Sequence, residues 1–141
     1  MLMLGCDHGG YELKKEIIKY LEENKIEYKD FGCNGEAVDY PVIAKAVCNE
    51  MKKDGSDKAI LICGTGIGIS MAANKIKGIR AANCADCFSA KYTRLHNDAN
   101  VLCMGGRTVG PGLGVMMVDI FLNTGFEGGR HLRRISMLED E

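Results

Sequence analysis

The sequence predicts an α/β protein: a three-layer α/β/α domain built on a five-stranded parallel sheet and occupying residues 1–141. Three observations lead there. Apolar runs of strand length alternate with segments of helical period, the pattern of parallel strands joined by right-handed crossovers. Glycine clusters fall directly after apolar runs, where a strand must turn into a helix. The length, with 46% hydrophobic residues, suits one ordinary core, and no linker, repeat or low-complexity stretch interrupts it.

Each element follows in order. A strand over 1–6 leads into an amphipathic helix over 11–24, where Leu13, Ile17, Ile18 and Leu21 recur at helical spacing. A short strand over 27–31 comes next. Pro41 suits the first turn of a helix, which runs to about residue 53 and ends at Asp54-Gly55. Residues 58–63 (KAILIC) form the most sharply marked strand, short, apolar and followed at once by glycines. A helix over 67–75, a strand over 79–84, a helix over 89–96 and a strand over 99–104 follow. The chain then gives a helix over 112–122 and, in a polar tail from Glu127, a last helix over 130–138. The architecture is Rossmann-like, and in such sheets ligands bind beyond the carboxyl ends of the strands.

Composition narrows the function. Eighteen basic residues against nineteen acidic leave a net charge of -1, so no general pull toward nucleic acid or an anionic membrane is expected. No apolar run approaches the roughly 20 residues of a membrane span, and the N-terminus lacks the pattern of a signal peptide. Seven cysteines cannot all pair, and Cys6, Cys63 and Cys103 fall in strand-like runs. Both facts favour reduced thiols and a cytoplasmic protein.

The loops after strands carry the chemistry. Asp7-His8 opens a helix after the first strand. After the third comes Cys63-Gly64-Thr65-Gly66-Ile67-Gly68-Ile69-Ser70, whose alternating glycines expose successive N–H groups where a helix begins. That arrangement suits an anion, though it also serves a plain strand-to-helix turn. The spacing differs from the dinucleotide fingerprint, and no lysine follows as in a phosphate-binding P-loop. Cys63 beside a helix N-terminus has the setting of a reactive thiol, a nucleophile or a general base; the alternative is one more buried filler.

The three histidines, His8, His96 and His131, fall in polar, Gly- or Asp-flanked segments, suited to proton transfer or anion binding. All six arginines lie at or after Arg80, whereas the twelve lysines are scattered as helix-solvating charges. Arg107 follows Gly105-Gly106, and Arg130 and Arg134 share a helix face, either a phosphate clamp or a solvated basic helix. Cys84-Ala85-Asp86-Cys87 lacks the second ligand pair of a structural zinc site, so no metal site is expected.

Taken together the motifs resemble the type B ribose-5-phosphate isomerases, a family that includes the galactose-6-phosphate isomerase subunits. The matching segments are Gly5-Cys6-Asp7-His8-Gly9-Gly10, Asp39-Tyr40-Pro41, the run from Ile62 to Ser70, and Ala73-Asn74-Lys75. Gly78-Ile79-Arg80-Ala81, His96-Asn97-Asp98, Gly105-Gly106-Arg107 and Gly128-Gly129-Arg130-His131 complete the set, in family order.

The resemblance implies a metal-free aldose–ketose isomerase of the pentose phosphate pathway, without cofactor, interconverting ribose 5-phosphate and ribulose 5-phosphate. It implies a homodimer, or a tetramer, with sites between subunits. Cys63 would move the proton between C1 and C2, and N–H groups from Gly64 through Gly66, Ile67 and Gly68 to Ser70 would hold the enediolate. His96, with Thr65, would assist ring opening, and Asp7 would bind a sugar oxygen. His8, Arg107, Arg130 and Arg134 would hold the phosphate, Tyr40 would line the pocket, and the partner would supply His96, Asn97 and Arg107. One branch of the family places its base, a glutamate, where Ile69 stands here, which leaves Cys63. Cys84 and Cys87 belong to no family motif.

Rival readings remain. A galactose-6-phosphate or allose-6-phosphate isomerase subunit would share these motifs. A nucleotide- or flavin-binding module on the same sheet would leave Cys63, His96 and the arginine pair without roles. A redox or zinc protein built on Cys84 and Cys87 would need further ligands.

Overall fold

The structure is a computed structural model and describes residues 1–55 and 58–139. Its elements run β1 (Leu2–Cys6), a 3-10 turn (His8–Gly10), α1 (Tyr11–Glu23), β2 (Tyr28–Asp30), α2 (Tyr40–Asp54) and β3 (Ala59–Cys63). There follow α3 (Ile67–Asn74), β4 (Ala81–Asn83), α4 (Cys87–Asn97), β5 (Val101–Gly105), α5 (Pro111–Asn123) and α6 (Arg130–Leu138). All paired strands are parallel, in the order β2-β1-β3-β5-β4.

The strands read as continuous apolar runs because both faces of the sheet are covered. Side chains alternate between the two layers. Leu4, Ile60, Ile62, Leu102 and Met104 pack with Leu13 and Ile17 of α1, Ala90 of α4 and Phe121 of α5. Met3, Leu61, Cys63, Val101 and Cys103 pack with Val47 of α2 and Ile69 of α3. The topology explains this division. Moving from β2 to β3 or from β3 to β4 advances across the sheet in one direction; β1 to β2 and β4 to β5 go the other way. Right-handed crossovers therefore put α2 and α3 on one face and α1 and α4 on the other.

Every expected element is present, with ends that coincide or shift by one or two residues. The strand expected over 79–84 shortens to Ala81–Asn83, because the preceding stretch is held by other bonds: Arg80 N–H donates to the Asn100 side chain at 2.8 Å. The next helix starts at Cys87 rather than 89, since the Asp86 carboxylate accepts from Ser89 N–H at 2.6 Å as its N-cap. Gly55 ends α2 in the left-handed conformation, φ 79°. The 3-10 turn at His8–Gly10 is additional. It forms because the Asp7 carboxylate caps Gly9 N–H at 2.8 Å.

One lysine departs from the expected solvating role. Lys14 is 1% exposed; its ammonium reaches Asp30 at 2.7 Å and the Cys33 carbonyl at 2.6 Å. It therefore ties α1 to the segment after β2, which leads to Tyr40. Among the described residues no helix is long and apolar enough to cross a membrane.

Candidate active site

The register sets β1, β3 and β5 to end together. Cys6 pairs with Ile62 and Cys63 with Gly105, so three post-strand loops share one edge of the sheet. Between β1 and β3 the crossover direction reverses, which opens a crevice at that edge. Cys63, 5% exposed, ends β3 there. Gly66 takes φ 81° as the N-cap of α3, and its N–H donates to the Cys63 sulfur at 3.1 Å. A backbone donor on the sulfur, at the positive end of a helix, suits a negatively charged thiolate.

The loop's other donors are partly committed. Ile67 N–H donates to Thr65 Oγ1 at 3.2 Å, and Ser70 N–H closes the first helical bond to the Gly66 carbonyl at 3.2 Å. The expectation that N–H groups throughout Gly64–Ser70 face a ligand is therefore corrected at Gly66, Ile67 and Ser70, which bond within the chain. Of the residues named for that role, Gly64 and Gly68 keep N–H groups outside these bonds; so does Ile69, in a first turn that has no carbonyl ahead of it. The Ser70 hydroxyl donates to the Ile67 carbonyl at 2.7 Å, so its role is to brace the turn.

The neighbouring loops close around this point. Asp7 N–H donates to the Ile62 carbonyl at 3.1 Å, and Gly106 N–H to the Cys63 carbonyl at 2.8 Å. The backbones approach so closely that a Cβ on Gly9 would lie 3.0 Å from Gly64 N. A Cβ on Gly64 would meet the Arg107 guanidinium at 3.4 Å, and one on Gly68 would meet the Tyr40 ring at 2.6 Å. Asp7, His8, Tyr40, Thr65 and Arg107 thus stand with Cys63 on one edge, with His8, Thr65 and Arg107 exposed.

A second cluster lies at the opposite edge. Helix α4 runs back along the sheet, so His96 and Asn97 at its end lie just before the chain enters β5. There the Asn100 carbonyl accepts from Ala59 N–H, the first residue of β3, at 2.9 Å. His96 is separated from Cys63 by the height of β3, about 13 Å for five residues. Glu127 N–H donates to the Leu95 carbonyl at 3.0 Å, which brings the start of α6 to the same place. Arg130 and Arg134 are exposed on α6, and the His96 and His131 rings stack with centroids 4.1 Å apart.

This partition differs from the expected one. Arg107, grouped with His96 and Asn97 on the sequence, lies instead on Gly64 of its own chain. Arg130 and Arg134 stand with His96. His131, read as a polar-loop residue, is 5% exposed, and burial together with His96 and Arg130 pushes its pKa down. Two arginines that were given no part in holding the anion brace the fold instead. Arg94 is buried and donates to Asp98 and to the Ala99 and Thr124 carbonyls; Arg80 bonds Asp98 and Glu139. Sequence reasoning missed Asn83, whose amide donates to the Thr65 carbonyl at 3.4 Å. It also missed Glu127, which faces both histidines.

The remaining cysteines behave as packing. Burial pushes the Cys6 and Cys48 thiols up to about 12 and Cys84 up to about 11, and raises Cys103 well above its ordinary value. A thiol so raised is not a ready thiolate, which counts against a redox role for Cys84.

Comparison with known proteins supplies the deciding observation: a family model described as Ribose/Galactose Isomerase matches residues 2–138. The chain belongs to the ribose/galactose isomerase family. Within that family it is 49% identical over 139 residues to a putative sugar phosphate isomerase of Bacillus subtilis, covering 97% of this chain and 93% of the relative. It is 46% identical over 138 residues to ribose-5-phosphate isomerase B of Escherichia coli, covering 97% and 93%. Among solved structures, ribose-5-phosphate isomerase B of Mycoplasma genitalium with bound ribulose 5-phosphate superposes with a TM-score of 0.93 at 42% identity, covering 98% and 93%. The Thermotoga maritima enzyme gives 0.96 at 43% identity, covering 99% and 97%. The five-stranded parallel sheet with helices on both faces is the fold of the ribose/galactose isomerase family.

Proposed function

We propose that this protein interconverts ribose 5-phosphate and ribulose 5-phosphate, with Cys63 as the base. The observation that carries the reading is the Gly66 N–H on the Cys63 sulfur at 3.1 Å, at the sheet edge where ligands of this fold bind. In the open-chain sugar the Cys63 thiolate removes the C2 proton, and the electron pair moves through C1 onto O1 as an enediolate. The O2 proton then passes to O1, the C2 carbonyl forms, and the thiol returns its proton to C1. No net redox change or co-reactant is required.

Gly64, Gly68 and Ile69 N–H groups at the start of α3 stabilise the developing oxyanion. Thr65 Oγ1 already accepts from Ile67 N–H, so its own hydrogen is available to the sugar oxygens. Asp7 orients a sugar hydroxyl, and Tyr40 walls the pocket. His8 and Arg107 on the same chain bind the phosphate.

His96 and Asn97 lie too far from Cys63 to act with it inside one chain. The reading is therefore a homodimer in which the partner's far edge docks on the Cys63 edge. That brings His96, as the acid–base group for ring opening, together with Asn97, Arg130 and Arg134. The identity of the relatives supports the pentose sugar: those in Escherichia coli and Mycoplasma genitalium are named for ribose 5-phosphate or bound to its product.

The test is to assay the pure chain with ribose 5-phosphate, allose 6-phosphate and galactose 6-phosphate. Turnover of the first by the lone polypeptide is expected. Turnover of a hexose phosphate alone would transfer the reading to the other branch of the family, and inactivity on all three would remove it.

A further inference from the structure

His96, Glu127 and His131 form a cluster that the isomerase chemistry does not require in full. The His96 Nε2 lies 3.7 Å from one Glu127 carboxylate oxygen, and the His131 Nε2 lies 3.6 Å from the other. These separations exceed hydrogen-bond length. One ligand atom from each residue can be chosen so that all three lie within 4.8 Å of one another. Among the described residues, His131 Nε2 is the buried side-chain atom without a hydrogen-bond partner. A buried imidazole nitrogen left unpaired is costly unless something else takes its lone pair or its proton.

We infer that His96, Glu127 and His131 constitute a binding site for a divalent transition-metal ion of the zinc type. Two imidazoles and one carboxylate are a zinc donor set, leaving a fourth position for water or a substrate oxygen. A tetrahedral ion with bonds of about 2.0–2.1 Å wants its donors about 3.3 Å apart. With one ligand atom from each residue the separations reach up to 4.8 Å, so the cluster must contract by up to about 1.5 Å around the ion. The two rings are stacked at 10° with centroids 4.1 Å apart, so the half-exposed His96 ring must tilt toward its neighbour to aim its lone pair.

Metal ligation needs a neutral imidazole. His131 offers for this purpose a buried Nε2 that has no hydrogen-bond partner among the described residues. Arg130 and Arg134 on the same helix oppose a dication, while the Glu127 charge offsets part of that. Hard oxygen-seeking ions gain little from two imidazoles, so magnesium should not compete.

The consequence for activity rests on the reading of His96 given above. An ion bound here occupies the ring-opening group, so zinc acts as a reversible inhibitor rather than as a cofactor.

The experiment titrates the metal-free, full-length protein with zinc chloride by calorimetry and by competition with a chromophoric chelator. The same titrations are run on Glu127→Gln, His131→Gln and Cys63→Ser. One ion per chain is expected, weakened about 10-fold or more in each of the first two variants and unchanged in the third. Cobalt in place of zinc should give ligand-field bands without a thiolate charge-transfer band. Magnesium should give no heat. Glu127 is half-exposed, so its variant folds even where His131→Gln does not.

Absence of stoichiometric binding, or binding lost with Cys63 and retained without Glu127, would overturn the site. Zinc held by these three residues while turnover continues undiminished would instead contradict the role given to His96. In wild type the expected result is inhibition reversed by a chelator, with Glu127→Gln resistant to it.

Discussion

Replacing Gly66 with alanine tests the packing that aims the Cys63 sulfur. Gly66 has φ 81°, a conformation that costs an L-residue about 1–2 kcal/mol. A Cβ there would also collide with the Asn83 side-chain oxygen and lie 2.8 Å from the Met104 carbonyl carbon. Asn83 can swing away at the expense of its bond to Thr65, but Met104 is wholly buried in β5 and cannot retreat. Relieving that contact pushes the start of α3 outward, an overpacking penalty of about 1–3 kcal/mol.

The sum is about 2–5 kcal/mol, and the displaced turn carries the Gly66 N–H off the sulfur. A matched control exists in Gly78, with φ 87° and nothing within 4 Å of its Cβ position. Gly78→Ala bears the backbone cost alone. The unfolded-state effect of Gly→Ala is common to both and cancels in the comparison. Urea unfolding of the two variants at one protein concentration should separate them by at least about 1 kcal/mol. Turnover should fall about 10-fold or more only in Gly66→Ala, as expected for a misplaced catalytic geometry. Equal stabilities with equal turnover would refute the argument that a crowded loop positions the thiol.

Two other outcomes follow from the arrangement. In a two-fold dimer with each site shared between chains, Cys63→Ala and His96→Ala variants should each be inactive yet complement one another when co-expressed. Random pairing makes about half the dimers mixed, each with one intact site, so about one quarter of wild-type turnover should return; no recovery would contradict a shared site. His131, whose pKa is lowered in the fold from 6.5, favours the neutral ring when folded. Stability should therefore be complete above pH 6.5 and decline as the pH falls and the unfolded state takes up a proton; His131→Gln should flatten that decline in unfolding curves between pH 7.5 and 5.

The order of elements was legible because both sheet faces are covered, so Leu2–Cys6, Ala59–Cys63 and Val101–Gly105 are uninterrupted apolar runs. Short edge strands were legible only roughly, since Tyr28–Asp30 and Ala81–Asn83 are largely uncovered and carry little apolar signal. The Cys63 loop announced itself through alternating glycines after a strand. What the chain order hid was distance across the fold. Arg107 and His96 are near in sequence, but one follows the end of β5 and the other precedes its start, which puts them at opposite edges. The burial of Lys14 and His131 was equally hidden, because the partners that accept them lie far along the chain or on a different element. Arg80 and Arg94 looked like the other arginines; only the carbonyls gathered around them mark them as structural.

The most direct test of the account is the rate of ribose 5-phosphate isomerisation by the wild-type chain and by Cys63→Ala, measured side by side under the same conditions. The wild type should turn the sugar over without added metal, and the variant should lose at least about 100-fold in turnover while still binding phosphosugar, the scale of a lost general base. Near-normal turnover in Cys63→Ala would contradict the account, because Cys63 is the group to which it assigns the proton transfer between C1 and C2.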